Sequence, residues 1–395
     1  NRLNFYDLSG KLAFKISDKD KITFSTYQGR DFLGINREFG LGWSNWVSSL
    51  KWSRNISDDL FFDLDAYHSF YNYKIEINDP DNGFIWNNNL SESGIKGNWS
   101  LNNNSKTQTY WGFHSQFYNF SPINLEPLPN SNLDPINTNP KNGVLNNLFA
   151  GLSHQFSSKL SAEAGLRWGF FNQLGRGVDY RYAGGIPGPD VEVIDSVQFN
   201  SFENIKFYQG LEPRLAFRYL INEEFSLKAA YNRNFQYVQI ASNSSAGLPI
   251  DRWILAGTYV PPIRSDQISI GMFKNFQNNK WEFSVESYYK DLRNIIDLRN
   301  GAQVLFTDQV ETEIITGKGW AYGVEFLLRK NTGKTTGWLA YTWSRTWRLI
   351  EGISENRKYN PRFDRPHDVT LVLNHEFSPS WSAGLTFVYT TGQAV

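Results

Sequence analysis

The chain has 395 residues, 40% of them hydrophobic, with a mean hydropathy of -0.47, and no run approaches the roughly 18 apolar residues of a membrane-spanning helix, which excludes both a transmembrane helix and an apolar helix bundle. Lys and Arg together number 39, as do Asp and Glu, so the formal net charge is +0 and a general nucleic-acid binder is disfavoured. The absence of cysteine excludes a disulfide scaffold and thiol chemistry.

In chain order the sequence repeats one unit, two alternating runs joined by a short polar turn. The first unit places Leu8, Leu12, Phe14 and Ile16 on one face, turns at Ser17-Asp18-Lys19-Asp20 and returns with Ile22 and Phe24. The second uses Trp46, Leu50 and Trp52, a turn near Ser57, then Leu60, Phe62 and Leu64. The third has Ile95, Trp99 and Leu101, a turn at Asn102-Asn103-Asn104, then Trp111, Phe113 and Phe117. The fourth runs through Leu148, Ala150, Leu152 and Phe156, turns at Ser157-Ser158 and returns with Leu160, Ala162, Ala164, Leu166 and Trp168. The fifth has Leu215, Phe217 and Tyr219, then Phe225, Leu227, Ala229 and Tyr231; the sixth has Ile268, Ile270 and Met272, then Trp281, Phe283 and Val285.

The seventh unit, GKGWAYGVEFLLRKNTGKTTGWLAYTWSRTWR (residues 317–348), is the clearest. Tyr322, Val324, Phe326 and Leu328 share one face, and Leu339, Tyr341 and Trp343 share one face of the return. The eighth has Val369, Leu371, Leu373 and Phe377, a turn at Ser378-Pro379-Ser380, then Trp381, Ala383, Leu385, Phe387 and Tyr389. Side chains alternate across a strand, so each unit reads as a β-hairpin with one apolar face.

About 16 strands follow, each near the roughly 10 residues that a tilted strand needs to cross a bilayer. The opposite faces carry Lys15, Lys51, Asp63, Asp65, Glu163, Arg167, Arg214, Arg218, Lys228, Glu282, Glu286, Glu325 and Arg345. Charge on one side and aromatics on the other suit a polar lumen within lipid, and the aromatic content of 16% fits girdles at two interfaces, among them Trp338, Tyr341, Trp343 and Trp347. Turns inside the units are roughly 3 to 7 residues and links between them roughly 15 to 40, the short-rim and long-rim asymmetry of an outer-membrane barrel. A β-propeller is disfavoured because the spacing between turns drifts and no signature recurs per blade. A soluble sandwich would have more even loops. The fold expected is therefore all-β, a transmembrane antiparallel barrel occupying residues 1–395 as one domain. The chain opens on strand pattern without a visible signal peptide and stops at Thr391-Gly392, so it is expected to be an internal portion of a longer protein.

Five stretches then carry a resemblance: EPRLAFRYLINEEFSLKAAYNRNFQ (212–236), LPIDRW (248–253), FSVESYYKDLRNIIDLRNGA (283–302), residues 317–345, and YNPRFDRPHDVTLVL (359–373). In order and spacing they resemble the barrel of TonB-dependent outer-membrane receptors of Gram-negative bacteria, over roughly residues 207–395; the first half matches only in hairpin pattern. The resemblance implies a closed barrel of about 22 strands, more than the 16 counted, so the first and last strands are expected to be open edges. It also implies an integral outer-membrane location, lipid as surroundings, and no enzymatic activity. The implied function is TonB-coupled uptake of a scarce extracellular solute such as an iron chelate, cobalamin or an oligosaccharide. TonB would be engaged through an N-terminal region that has no counterpart here, and a surface lipoprotein is a further candidate partner. The alternatives are a passive porin and a non-transporting surface-binding barrel.

Motifs for catalysis or metal binding do not emerge. The histidines His68, His114, His154, His367 and His375 form no ligand pair, and no nucleophile with its base is recognisable. No cofactor or metal is expected. The residues singled out for ligand contact are Asp251, Arg252 and Trp253 in one link, and Asp364, Arg365 and His367 at a link-to-strand junction. For each, packing at the rim is the competing role.

Overall fold

The computed structural model describes residues 1–241, 252–302, 304 and 307–394. The wall begins with β1 (Arg2–Lys15), β2 (Asp20–Ile35), β3 (Phe39–Asn55), β4 (Leu60–Ile77), β5 (Phe84–Asn104) and β6 (Thr107–Pro127). A two-residue strand, β7 (Ile136–Asn137), pairs with the end of β6, and the wall continues with β8 (Lys141–Gln155) and β9 (Leu160–Leu174). The next link contains the separate hairpin of β10 (Gly177–Tyr182) and β11 (Val193–Phe199), after which come β12 (Asn204–Asn222) and β13 (Phe225–Gln236). A second small hairpin, β14 (Val238–Ala241) with β15 (Arg252–Leu255), precedes β16 (Ile263–Phe276), β17 (Trp281–Leu298), β18 (Ile314–Lys330), β19 (Thr335–Leu349), β20 (His367–Ser378) and β21 (Trp381–Thr390).

Every wall strand pairs antiparallel with its sequence neighbours in one 17-stranded sheet, of which sixteen strands are long. β1 pairs only with β2 and β21 only with β20, so the two end strands are open edges, as expected from the strand count. Neighbours alternate in direction along the meander, so the turn after each odd member of a hairpin falls on one rim and every link on the other, again as expected.

Three of the short turns share one device. The hydroxyls of Ser17, Ser57 and Ser157 accept the backbone N–H three residues on, from Asp20, Leu60 and Leu160, at 3.0, 3.1 and 3.1 Å. A serine at the end of an apolar run thus folds its own turn. In the turn 331–334 Gly333 has φ +100, a conformation that disfavours any side chain.

The register converts the sequence alternation into continuous rows. Val285, Phe326, Tyr341, Val369 and Tyr389 lie opposite one another across five strands, and Phe283, Leu328, Leu339, Leu371 and Phe387 form the next row. On β18 this face reads Lys318, Trp320, Tyr322, Val324, Phe326, Leu328, Lys330: an apolar stretch of about 27 Å at about 3.4 Å per residue, with a lysine at each end. Large apolar side chains on this face stay exposed along the sheet, from Leu8 and Phe14 through Leu50, Leu148, Leu215 and Ile270 to Phe387.

The other face is concave. Links from distant parts of the chain fold onto it and meet each other: Asp308 lies 3.6 Å from Lys141 of β8, and the Tyr182 hydroxyl of one link donates to Glu311 of another at 3.0 Å. The main buried cluster, Tyr118, Phe120, Leu145, Phe171, Tyr237, Leu255 and Ala256, joins wall residues of this face to the β14–β15 link. The main dry packing at the link rim therefore adjoins the lumen side, and the apolar belt is the outer surface.

Three expectations are corrected. Arg345 is paired with Tyr322, on the outward face, where it stands above the belt and reaches Asp364 rather than the lumen. Trp338 is paired with Arg329 on the lumen face, one residue out of step with Tyr341, Trp343 and Trp347. Two links are far shorter than expected, residues 36–38 and 78–83, because the strands flanking them run to between 16 and 21 residues and extend beyond a bilayer's span.

These faces make opposite predictions for adjacent residues of β18. Phe326→Arg is expected to cost about 2–4 kcal/mol at the bilayer midplane and to deplete the folded band on a heat-modifiability gel. Glu325→Arg, on the lumen face opposite Glu286, is expected to leave that band near wild type. Equal loss for both variants would contradict the assignment of the faces.

Candidate functional site

The lumen face carries polar groups that bind each other across strands. Tyr67 donates to Glu92 at 2.6 Å, Gln116 donates to the same carboxylate at 2.8 Å, and His114 Nε2 lies 3.0 Å from the Tyr67 hydroxyl. The Tyr67 ring lies across Gly94, where a Cβ would sit 2.4 Å from it, so the ring needs glycine at that position. Glu212 is buried beside Arg167 at 3.5 Å and Arg214 at 3.8 Å, and accepts the Phe235 N–H at 3.3 Å. Arg167 also donates to Asn147 at 2.8 Å, so this network ties β8, β9, β12 and β13 together. Of the lumen charges expected from sequence, Lys51 with Asp63, Glu163, Arg167, Arg214 and Glu282 are engaged by the chain itself; Glu282 accepts from Asn331 at 2.8 Å.

At the link rim the chain folds into the mouth. Arg252 is 5% exposed and donates through Nη1 to the carbonyls of Val304, at 2.8 Å, and Thr307. Its guanidinium thereby clamps the β14–β15 hairpin to the link after β17. Burial lowers its pKa, opposed by the charges of Asp308 and Glu311. Trp253 is half-buried and packs against the main cluster. Asp251 lies outside the described residues. Glu311, in the single 3₁₀ turn Val310–Thr312, has its pKa raised chiefly by burial, partly offset by its own N–H, Lys141 and the Tyr182 hydroxyl.

The second group of expected residues sits where β19 outruns its partner. The β19–β20 ladder ends at Trp343 and His367, leaving the N–H groups of Ser344, Thr346 and Arg348 beyond it. They are satisfied in turn by the Pro366 carbonyl at 3.0 Å, the Asp364 carboxylate at 2.6 Å and the Tyr359 carbonyl at 2.8 Å. The link thus acts as a substitute strand, with a side chain filling one place in the ladder. Asp364 is 4% exposed and also meets Arg345 at 3.3 Å, while Asn360 accepts from Arg345 at 3.1 Å. His367 Nδ1 lies 2.9 Å from the Tyr341 hydroxyl, on the outward face, and Arg365 is exposed.

The structure therefore separates the expected residues into two places, the interior of the mouth (Arg252, Trp253) and the edge of β19 (Asp364, Arg365, His367). Sequence reasoning did not single out Tyr182, Asp297, Glu311 or Tyr359. Asp297 receives Arg348 at 2.7 Å and the Tyr359 hydroxyl at 2.6 Å, contacts made across 51 and 62 residues that no local pattern announces. The available signals were Asp297 and Tyr359 themselves, within the resembling stretches 283–302 and 359–373.

Two outcomes follow. Asp364→Ala is expected to leave the Thr346 N–H without an acceptor and Arg345 without its carboxylate, at about 1–3 kcal/mol, and to raise amide exchange at residues 344–348 while the folded band persists; unchanged exchange would contradict the substitute-strand role. Because the pKa of Glu311 is raised in the packed rim, that rim holds the proton more tightly than its opened form, so its stability falls as pH rises through the carboxylate range. Intrinsic-rate-corrected exchange of residues 308–314 is expected to be faster at about pH 8 than at about pH 5, and flat in Glu311→Gln. The same slope in Glu311→Gln would assign the effect elsewhere.

Comparison with known proteins agrees with this geometry. A search of the curated proteins found no match. Among solved structures, the alcaligin outer-membrane receptor FauA of Bordetella pertussis superposes with a TM-score of 0.69 at 12% identity, over 99% of this chain and 61% of that one. The hemophore receptor HasR of Serratia marcescens, solved with its hemophore HasA and heme, gives 0.66 at 15% identity, over 98% and 66%. The ferric-catecholate import receptor Fiu of E. coli K12 gives 0.67 at 11% identity, over 97% and 63%. The chain thus spans less than two thirds of the length of each. A family profile, described as TonB dependent receptor-like, beta-barrel, matches residues 2–394. With that match extending over almost the whole sheet, the chain belongs to the TonB-dependent receptor β-barrel family.

Proposed function

We propose that this chain is barrel wall of an integral outer-membrane receptor that takes up a scarce extracellular solute, such as an iron chelate, cobalamin or an oligosaccharide, by coupling to TonB. The observation that carries the reading is the pairing of an outward apolar belt bounded by lysines with a concave polar face roofed at one rim by folded links. In this reading the links present the solute-binding surface. Arg252, Trp253, Asp364 and His367 serve recognition by fixing link geometry, while the exposed Arg365 is the candidate for direct contact. TonB, and a surface lipoprotein if one takes part, act on the assembled receptor.

The passive-porin reading is less well supported, because β1 and β21 do not pair into the sealed sixteen-strand ring that a porin of this strand number needs. A pore also cannot concentrate a solute, whereas energy-coupled release can. The test is accumulation of a candidate chelate by cells carrying the intact protein, with and without TonB. Accumulation above the external concentration that is lost without TonB is expected. TonB-independent equilibration would favour the porin, and binding without accumulation would favour a surface-binding barrel.

A further inference from the structure

On the outward face near the short-turn rim, β16 and β18 each carry a cation with no carboxylate to neutralise it. Lys274 stands in the row Phe225, Lys274, Phe283, Leu328. Lys330 stands one row nearer the turn, in Phe276, Trp281, Lys330. Its Nζ lies 5.7 Å from the Trp281 ring centre, and Trp281 is stacked on Phe276 with centroids 6.4 Å apart. Lys274 is exposed, and among the described residues neither it nor Lys330 has a carboxylate oxygen within 4.0 Å. By contrast Arg54, at the corresponding height on β3, is paired with Asp20 at 3.5 Å. The nearby Glu282 points to the lumen side, where Asn331 and Arg329 engage it. Glu223 and Glu224 lie in the turn between β12 and β13.

Directly toward the middle of the belt from Lys274 the wall is notched. A cavity of about 490 Å³ is lined by Phe217, Tyr219, Leu227, Ala229, Met272 and Val285. Its depth comes from the row Phe217, Ala229, Ile270, Ser287, where two small residues stand beside large ones. Lys274 follows the notch residue Met272 by two positions on β16, and Trp281 and Lys330 stand one row nearer the turn on the next two strands, so an apolar slot with amines on its rim side matches a molecule with a hydrocarbon tail and a negative head.

We propose that this is a binding site for an anionic glycerophospholipid in the leaflet at the short-turn rim. One acyl chain occupies the notch and the phosphate and headgroup lie between Lys274 and Lys330. This rests on the reading of the belt as a lipid-facing surface. A negative headgroup supplies the counter-charge that neither amine has from a carboxylate of the wall, which selects the headgroup. The notch selects a flexible chain over a rigid ring system.

The test uses the full-length protein in detergent, titrated with phosphatidylglycerol and phosphatidylethanolamine of identical acyl chains and read by native mass spectrometry. Wild type is expected to retain phosphatidylglycerol about thirtyfold better, the preference that two surface lysines supply. The variant Lys274→Gln/Lys330→Gln is expected to lose that preference, and Ala229→Phe, which fills the notch, to retain less of both lipids. Equal retention of the two lipids by wild type, or a preference that survives the double variant, would overturn the proposal. So would stronger retention of lipid A than of phosphatidylglycerol at the same lysines. A heat-modifiability gel on each sample separates the two readings: a folded, membrane-extracted protein without the preference removes this site alone, whereas failure to extract from the outer membrane removes the lipid-facing wall.

Discussion

A backbone that crosses hydrocarbon must satisfy every N–H and C=O from within the protein, and the rest of this structure depends on that constraint. An antiparallel ladder meets it, and the ladder has a side-chain period of two. Once the ladder is fixed, each strand must present one set of residues to the bilayer and the other to the lumen, with no freedom left to slip, since a shift of one residue would exchange the faces. The unbroken rows across β17 to β21, such as Val285 to Tyr389, are the direct expression of that rule. They also explain why charge at the borders of the belt is compatible with an apolar centre: on β18 it appears at Lys318 and Lys330 and nowhere between them on the outward face.

The same constraint organises what lies at the rims. On the short-turn side, serine and asparagine side chains take up N–H groups that the ladder abandons, as at Ser17, Ser57, Ser157 and Asn222. On the link side the ladder is prolonged by other means. Asp364 substitutes a carboxylate for a strand carbonyl, and Arg252 gathers two link carbonyls that no strand reaches. Polar residues with a motif-like look therefore act as backbone partners. Their role in recognition is to hold the mouth in shape, while the solute would meet the residues that such contacts leave exposed.

How much of this was legible in the sequence divides along the range of the interaction involved. Hairpins, turns and the apolar face were legible because they are set by residues two to four apart, and twelve of the thirteen charges assigned to the lumen face lie there. Arg345 was misplaced because its charge was weighed above its parity: it is two residues from Trp343 and so shares the outward face, at a height where charge is tolerated. Trp338 was misplaced for the complementary reason, its aromatic character outweighing its position next to Leu339. The short links at 36–38 and 78–83 were illegible because strand continues through polar residues once outside the bilayer, where alternation no longer separates apolar from polar. Contacts such as Tyr182 with Glu311, across 129 residues, depend on the curl of the whole sheet and have no local signature.

The central claim is that even-numbered positions of β18 face lipid and odd-numbered positions face a wet lumen. These 395 residues contain no cysteine, so single cysteines placed from Lys318 to Lys330 report without background from this part of the protein. Spin labels at these sites, in the full-length protein reconstituted in bilayers, can be read for collision with oxygen and with a water-soluble nickel chelate. The account predicts strict alternation of period two, with oxygen dominant at 320, 322, 324, 326 and 328 and the chelate dominant at the odd positions between them. A profile without alternation, or with the two collision partners exchanged, would contradict it.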